Sequence, residues 1–199
     1  MATTRPRELQ NFADALAAAL LEERGNFAGR PIAEKIVADM RADTGAIDFN
    51  GGTSLPVLDH LEAAFDSGRQ MPGALERLAD AFAALSPNLP WRRTGSARPE
   101  DRDFWDGHAN VAIIGKGGVE DRPGFWIGAS LVAPGIIYPD HSHSPEEVYL
   151  LISPGSFKHG GSGWTELAAG DTFHNVPGIT HAMRAGAAPL LALWLLWPH

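Results

Sequence analysis

The sequence predicts a mainly β domain, either a sandwich or a barrel, preceded by an α-helical extension. Two patterns lead to this fold class. Apolar residues recur at helical spacing from residue 7 to about residue 85, whereas the second half of the chain holds short apolar segments between glycine, proline and aspartate turns. No helical pattern separates those short segments, and parallel strands would need such crossovers. Several short strands in about 95 residues therefore favour an antiparallel sandwich or barrel.

Residues 1–90 are expected to form three to four amphipathic helices. Apolar side chains three or four positions apart share one helix face, and this spacing recurs in two series: Leu9, Phe12, Leu16 and Leu20, then Leu58, Leu61 and Phe65. Glycine and proline interrupt the pattern at residues 25–31, 50–53 and 68–72. We expect these helices to pack on the β domain as a cover or lid, because the sequence shows no independent chemistry in them.

Residues 91–104 are polar and proline-containing, so we interpret them as a linker. The β domain then covers residues 105–199, with apolar strands predicted over residues 111–114, 125–132, 148–152 and 190–197. The last of these strands is apolar on both faces, so both faces should be covered. The barrel interior would cover one face, and the helices or a second subunit would cover the other. A homodimer is one arrangement that this strand would allow.

Composition and charge exclude several functional classes. The 199 residues contain no cysteine, which excludes disulfides, iron–sulfur clusters, thiolate metal sites and a cysteine nucleophile. A net charge of -8 without a lysine- or arginine-rich run argues against nucleic-acid binding. No apolar run has the length of a membrane span, and no secretory signal is recognisable. We therefore expect a cytoplasmic protein without a membrane partner.

The segment most informative about function runs from Tyr138 to Tyr149. It contains three carboxylates, two histidines and two tyrosines, and prolines interrupt it. Four of its residues have the same parity, so an extended backbone would direct their side chains to one face: His141, His143, Glu147 and Tyr149. By the same parity Glu146 should face away from Glu147. The group predicts a divalent metal site with a phenol beside it.

The spacing of glycines and metal-ligand residue types resembles the two sequence motifs of the cupin superfamily. The first motif matches Gly135, His141-x-His143, Glu147 and Gly155, and the second matches Gly170-Asp171 and Pro177-Gly178-x-x-His181. The resemblance implies a cupin double-stranded β-helix, which is a jelly-roll barrel, with four metal ligands: His141, His143, Glu147 and His181. Gly155 lies one residue later than usual and Val176 replaces a usual proline, but these departures remove no ligand.

Three imidazoles and one carboxylate form a ligand set of intermediate hardness. Such a set suits zinc, iron(II), manganese, cobalt or nickel, and the sequence does not choose among these ions. We expect one divalent transition metal ion, with one or two positions left for water or substrate.

Three stretches of the C-terminal half carry a closer resemblance: the segment from Tyr138 to Tyr149, Gly170-x-Thr-Phe-His-Asn175, and Ala192-Leu-Trp194. They resemble the cupin-type dimethylsulfoniopropionate lyases. The resemblance implies a β-elimination that splits dimethylsulfoniopropionate (DMSP), a small zwitterion, into dimethyl sulfide and acrylate. The substrate carboxylate would bind the metal while a tyrosine removes the α proton. We predict Tyr149 as the base, and Tyr138 as the residue that orients the substrate or shares the phenolate.

A sulfonium group carries a positive charge without hydrogen-bond donors, so aromatic faces should bind it best. Trp194, Phe173 and Trp126 are the candidates for this wall, and Trp194 is favoured because the resemblance extends through it. His174 is a further candidate for the substrate site, either beside the substrate or as an imidazole that supports the site by hydrogen bonding. We assign no role to the other histidines: His60, His108, His159 and His199.

The same ligand set leaves other functions open. An iron(II) cupin dioxygenase would use the same three histidines and glutamate, although only a dioxygenase would require oxygen. A cupin that binds a small carboxylate, or one that converts another carboxylate and cleaves DMSP only incidentally, would also fit. A base aimed at the metal, Tyr149, argues against pure binding, because a binding protein gains little from it.

Overall fold

The N-terminal part of the described chain is mainly α-helical. The computed structural model describes residues 4–22, 25–49 and 52–198, so the predicted turn residues Asn50 and Gly51, and His199, lie outside it. The α-helices of this part of the chain are α1 Arg7–Ala17, α2 Arg30–Ala42, α3 Leu61–Arg69, α4 Ala74–Leu85 and α5 Arg102–Gly107. Ala18–Glu22 extends α1 as a π-helical turn, and Pro56–His60 and Ser86–Asn88 are 3₁₀ turns. The helical extension predicted from periodicity is confirmed by α1 to α4.

Phe82 of α4 lies at the centre of the helical extension. Its ring centroid is 5.3 Å from that of Phe12, 5.4 Å from that of Phe65 and 6.2 Å from that of Trp91. Phe12 belongs to the predicted apolar stripe of α1, which is buried. Aromatic pairs of this kind contribute about 0.5–1.5 kcal/mol each beyond the area that they bury. One ring therefore joins α1, α3, α4 and the start of the segment that leads to the barrel.

The described residues form two sheets, and all their strands except β1 lie in the C-terminal half. The strands are β1 Ala46–Ile47, β2 His108–Ile114, β3 Glu120–Asp121, β4 Trp126–Val132, β5 Ile137–His141, β6 Glu146–Leu151, β7 Gly155–His159, β8 Thr165–Leu167, β9 Thr172–Asn175, β10 His181–Arg184 and β11 Leu190–Trp197. The larger sheet has the order β1-β3-β2-β4-β11-β6-β9, and the smaller has the order β5-β10-β7-β8. Apart from the parallel contact of β2 with β3, neighbouring strands are antiparallel. Side chains of both sheets share one inner apolar cluster. This is the predicted cupin jelly roll.

Strand β11 is covered on both faces by the chain itself. Leu191, Leu193 and Leu195 are fully buried in the cluster that also contains the apolar stripes of α1, α2 and α4. Leu190 and Ala192 belong to the inner cluster of the barrel. The helices thus provide the second cover that this two-faced strand requires. The strand gives no reason for a second subunit, and the homodimer stays a prediction.

The segment over residues 91–104, interpreted as a linker, is packed against the barrel. Trp91 is buried in the helical core, and Ala97 is buried in the inner cluster of the barrel. The backbone of Arg92 exchanges two hydrogen bonds with Asn110 of β2, at 2.8 and 2.7 Å. Polar composition alone could not show these pairings. The domain boundaries at residues 90 and 104 stay a prediction, and the segment brings Thr94 beside the site residues described below.

Among the helices of the described residues, none combines the length and the apolar composition that crossing a membrane requires. The cytoplasmic location stays a prediction from the sequence.

Candidate active site

Most of the predicted site residues line one cavity of about 220 Å³ inside the barrel. Its lining is Thr94, Asn110, Ser130, Tyr138, His141, His143, Glu147, Tyr149, Trp194 and Leu196. Cavities of about 400 and 530 Å³ border the helices without a histidine in their lining, and another of about 550 Å³ has His60 as its one histidine. Metal-ligand chemistry therefore points to the smaller cavity.

Strand register explains why these side chains meet. Glu147 and Tyr149 of β6 lie directly opposite Leu196 and Trp194 of β11, so all four side chains share the inner face of the larger sheet. In the smaller sheet, His181 of β10 lies opposite His141 of β5. The two sheets thus present a carboxylate and imidazoles toward each other, although these residues lie up to 40 positions apart in the chain.

Three of the predicted ligands form a compact group. One ligand atom each from His143, Glu147 and His181 lies within 4.8 Å of the other two. Glu147 Oε2 is 3.3 Å from His143 Nε2 and 3.2 Å from His181 Nε2. Ligand atoms around an ion with bonds of about 2.1 Å lie roughly 3.0 to 3.4 Å apart, so this spacing fits a transition metal ion. Within the described residues both Nε2 atoms are buried without a hydrogen-bond partner, which also fits a metal ligand.

Hydrogen bonds with the backbone fix which nitrogen of each histidine faces the cavity. A carbonyl oxygen can only accept, so a ring nitrogen that contacts one carries the proton. Each Nδ1 donates to a carbonyl two residues away, at 2.9 to 3.0 Å: Pro139 for His141, Pro145 for His143 and Ile179 for His181. Each Nε2 is therefore free of a proton in the neutral ring. Bonds of this kind orient metal-binding histidines in proteins.

His141 lies at the edge of the group. Its ring centroid is 4.1 Å from that of His181 and 6.4 Å from that of His143. The compact group of three ligands does not include it. Burial, and then the neighbouring His181, lower the pKa of His141 below 6.5, which favours the neutral form that a metal needs. His141 lines the same cavity and packs beside His181, and its role as a fourth ligand is a proposal.

The charge of Glu147 is stabilised inside the barrel. Burial alone would raise the pKa of this carboxyl, but the close contacts with the imidazoles of His143 and His181, at 3.3 and 3.2 Å, lower it to about 2. Burial is the largest single influence on His143 and opposes its protonation, but its contacts with Glu147 and its backbone hydrogen bonds together outweigh burial and raise its pKa. The carboxylate is thus ionised at any physiological pH, as a metal ligand must be.

Tyr149 and Tyr138 are both buried beside the ligands. The ring of Tyr149 packs 5.0 Å from that of Phe157, and burial followed by the charge of Glu147 raises its pKa well above 10. The ring of Tyr138 lies 4.7 Å from that of His141, and its hydroxyl accepts a hydrogen bond of 3.0 Å from Asn110 Nδ2. Two phenols therefore face the cavity, and Tyr149 does not ionise readily without added positive charge nearby.

Comparison with known proteins shows the family to which the chain belongs. The family model for dimethylsulfoniopropionate lyase matches residues 29–192. The chain belongs to the DMSP lyase family. The family name denotes cleavage of a carbon–sulfur bond. The protein DddL of Cereibacter sphaeroides, described provisionally as a DMSP lyase, is 28% identical over 148 residues, which make up 71% of this chain and 59% of that protein. The match thus spans less than two thirds of that relative.

Two solved structures share the fold along nearly the whole chain. The DMSP lyase DddQ from Ruegeria pomeroyi DSS-3 superposes with a TM-score of 0.72 at 23% identity, covering 97% of this chain and 92% of that chain. A chain from crystal structures of the DMSP lyases RdDddP and RnDddQII gives a TM-score of 0.68, also at 23% identity, over 96% of this chain and 92% of that chain. At this identity the likeness shows the fold, and it includes the helical extension.

Of the predicted aromatic wall, this member of the DMSP lyase family brings only Trp194 to the cavity. Phe173 lies opposite Tyr149 on the same face, but its ring packs 5.2 Å from that of Phe157 and 4.7 Å from that of His159. Trp126 lies opposite Leu196, also on the inner face, and is not part of the cavity lining. Phe173 therefore packs within the barrel beside Phe157 and His159, and substrate contacts by Phe173 and Trp126 stay predictions.

The structure does not bring His174 to the cavity, which corrects the expectation that it contacts substrate. His174 lies opposite Val148, on the outer face of the larger sheet. Its Nε2 is 2.7 Å from Glu146 Oε1, and its ring packs so closely on Gly29 that a Cβ at Gly29 would lie 2.8 Å from it. Strand parity separates it from Glu147, because adjacent residues of a strand point to opposite faces. The expected outward direction of Glu146 is confirmed.

Sequence reasoning missed several residues around the candidate site: Thr94, Asn110, Ser130, His108, His159 and Asn175. Asn110 and Ser130 face the cavity as direct partners on β2 and β4. His108 donates from Nδ1 to the carbonyl of Phe104 and accepts at Nε2 from the backbone N–H of Thr94, at 3.0 Å. Strand parity could have indicated Asn110, but the register that places it beside Tyr138 is not visible in one sequence.

Proposed function

We propose that this protein is a metal-dependent carbon–sulfur lyase that cleaves DMSP into dimethyl sulfide and acrylate. The observation that carries the proposal is the arrangement of a compact histidine and glutamate group beside Tyr149 in a small cavity with a tryptophan wall. Membership of the DMSP lyase family supports the substrate. The cavity of about 220 Å³ suits a small zwitterion better than a large molecule.

The metal would be held by His143, Glu147 and His181, with His141 as the fourth ligand. When bound, a divalent ion would act as a Lewis acid on the substrate carboxylate and stabilise the charge that develops beside it. The ligand types suit zinc, iron(II), manganese, cobalt or nickel. The buried Nε2 atoms of His143 and His181 support this assignment, because buried polar atoms without partners are rare in proteins.

Elimination requires that a base removes the proton from the carbon next to the substrate carboxylate. The electron pair of that C–H bond forms the double bond of acrylate, and the C–S bond breaks with its electron pair on sulfur. Dimethyl sulfide leaves as a neutral molecule, so no acid has to protonate it. The base takes up the one proton that is released and later transfers it to water.

We propose Tyr149 as this base. It is buried beside Glu147 and opposite Trp194, where it can reach a substrate held between the ligands and the indole. Burial raises its pKa well above 10, so phenolate formation needs the positive charges of the metal site and the substrate sulfonium. Tyr138 receives a hydrogen bond from Asn110, which directs its own O–H elsewhere and suits it to orient the substrate.

Trp194 is proposed to hold the sulfonium. Its side chain is only partly buried and faces the cavity beside Tyr149. A cation over an indole face gains about 0.5–2 kcal/mol, depending on how far water is excluded. A cation between Trp194 and Tyr149 would also lower the cost of forming the phenolate.

A headspace assay tests the proposal. The protein is freed of metal, loaded in turn with zinc, manganese, cobalt, nickel or iron(II), and incubated with DMSP, and dimethyl sulfide is quantified by gas chromatography. We expect release with at least one ion, equally under air and under argon. No release with any ion would overturn the assignment. A requirement for oxygen would instead support an iron(II) dioxygenase.

A further inference from the structure

Asn175 connects the ligand carboxylate to a histidine on the opposite sheet. Asn175 ends β9 and is fully buried. Its Nδ2 donates to Glu147 Oε2 at 2.9 Å, and its Oδ1 is 3.1 Å from His159 Nδ1. Neither Asn175 nor His159 lines the cavity. These two residues are therefore placed to act on Glu147 and not on the substrate.

Chemistry fixes the direction of both hydrogen bonds. Glu147 is ionised, so its oxygens only accept, and the NH₂ end of Asn175 must face it. The amide oxygen of Asn175 then needs a donor, so His159 carries its proton on Nδ1. The imidazole is held in place by the ring of Phe173 at 4.7 Å and by the pairing of β7 with β10.

The contacts close a ring across the two sheets. Glu147 and Asn175 belong to β6 and β9 of the larger sheet, whereas His159 and His181 are direct partners on β7 and β10 of the smaller sheet. His181 Nε2 returns to Glu147 Oε2 at 3.2 Å. The position of Glu147 relative to His181 therefore depends on one hydrogen bond within the larger sheet, from Asn175 to Glu147, and one between the sheets, from His159 to Asn175.

We propose that Asn175 and His159 are positioning residues that hold Glu147 Oε2 opposite His181 and so set the metal affinity of the site. An oxygen that accepts one bond from Asn175 keeps another lone pair for an ion between the imidazoles. Without Asn175 the carboxylate loses its buried hydrogen-bond donor and is free to rotate away from His181. The inference rests on the proposed metal site and extends it beyond its direct ligands.

Metal affinity provides the test. The variants Asn175→Ala, His159→Ala and the double variant are compared with the unsubstituted protein by chelator competition for cobalt(II) and zinc, together with the visible spectrum of the cobalt(II) form. Loss of residues that orient metal ligands typically weakens binding on the order of 10- to 100-fold, and we expect this range for Asn175→Ala. His159→Ala should have a smaller effect in the same direction. Because His159 acts through Asn175, the double variant should match Asn175→Ala within about twofold.

The matched control is His174→Gln, which changes the preceding residue of the same strand on the outer face. It should keep its metal affinity within about twofold. His159→Gln keeps an amide donor for Asn175 and should retain more affinity than His159→Ala. Melting of the metal-free variants shows whether they fold, and if Asn175→Ala does not, the comparison of the two His159 variants carries the test.

Unchanged affinity in Asn175→Ala, or independent additive losses from the two substitutions, would overturn the positioning role. Failure of the proposed function gives a different result, since the unsubstituted protein would then release no dimethyl sulfide while Asn175→Ala still binds metal more weakly.

Discussion

Two carboxylate–imidazole groups lie on opposite faces of the same pair of strands, β6 and β9. On the inner face, Glu147 is close to His143 and His181 and accepts a hydrogen bond from Asn175. On the outer face, Glu146 pairs with His174 beneath the start of α2. His174 contacts its carboxylate through Nε2, whereas the Nε2 atoms of His143 and His181 have no hydrogen-bond partner in the described part of the chain. Glutamate and histidine therefore contribute to packing on the outer face and to the proposed metal site on the inner face.

The largest effect should come from removing the charge on the inner face. Glu147→Gln keeps the shape of the ligand, but it takes away the anion that the site needs to hold a divalent ion. We expect loss of bound metal and a fall in dimethyl sulfide release on the order of a thousandfold, since a Lewis acid contributes several kcal/mol. Metal content by plasma mass spectrometry and the headspace assay measure both quantities. Glu146→Gln, one position away, is the control, and equal metal content in the two variants would contradict the comparison.

The next largest effect should come from Tyr149→Phe. It removes the proposed base while leaving the four ligands, so we expect a loss of about 10²- to 10⁴-fold in kcat with unchanged metal content. Tyr138→Phe should cost less, because the proposed role of Tyr138, which accepts a hydrogen bond from Asn110, is only to orient the substrate. Steady-state kinetics with both variants decide the order. If Tyr138→Phe proves the more damaging, the two roles must be exchanged.

On the outer face we expect a loss of stability without a loss of chemistry. His174→Ala removes a partly buried hydrogen bond to a carboxylate and should lower the free energy of unfolding by about 1–2 kcal/mol. Urea denaturation measures this value. Dimethyl sulfide release should stay within about twofold, so a large loss of activity in a well-folded variant would show that the two faces are coupled.

The smallest effect should be a change in the pH dependence of stability on replacing His108. This buried imidazole makes a hydrogen bond at each ring nitrogen. Burial lowers the pKa of His108 below 6.5 in the folded protein. The unfolded chain therefore takes up a proton first, and stability should fall as pH drops below about 6.5, by at most about 1.4 kcal/mol per pH unit. His108→Gln cannot titrate and should show a shallower dependence when urea unfolding is compared at about pH 7.5 and about pH 5.5. An identical slope in both proteins would assign the dependence to other groups.

Periodicity and parity predicted much of this molecule. The apolar stripe of α1 and the strands β2, β4, β6 and β11 follow directly from spacing. The short strands β1 and β3, of two residues each, carry too little pattern to recognise. Two residues cannot show alternation, and their pairing depends on contacts distant in sequence.

The site shows the same limit. His143, Glu147 and His181 could be predicted because their spacing along the chain matches the two sequence motifs. His174 and Asn175 are neighbours in sequence, and only the register of β9 against β6 shows that Asn175 faces inward. One sequence does not contain that register. The sequence therefore pointed to His174, because histidine is a common site residue. It gave no reason to select Asn175, which donates a hydrogen bond to Glu147.

In the proposed reaction, the site removes the proton from the carbon next to the substrate carboxylate. Metal-loaded protein can be given DMSP that carries two deuterium atoms on that carbon, and the products can be examined by mass spectrometry. Elimination predicts acrylate that keeps one deuterium, together with an equal amount of dimethyl sulfide. Dimethyl sulfide accompanied by a hydroxypropionate that keeps both deuterium atoms would show substitution by water and would contradict the proposed role of the site.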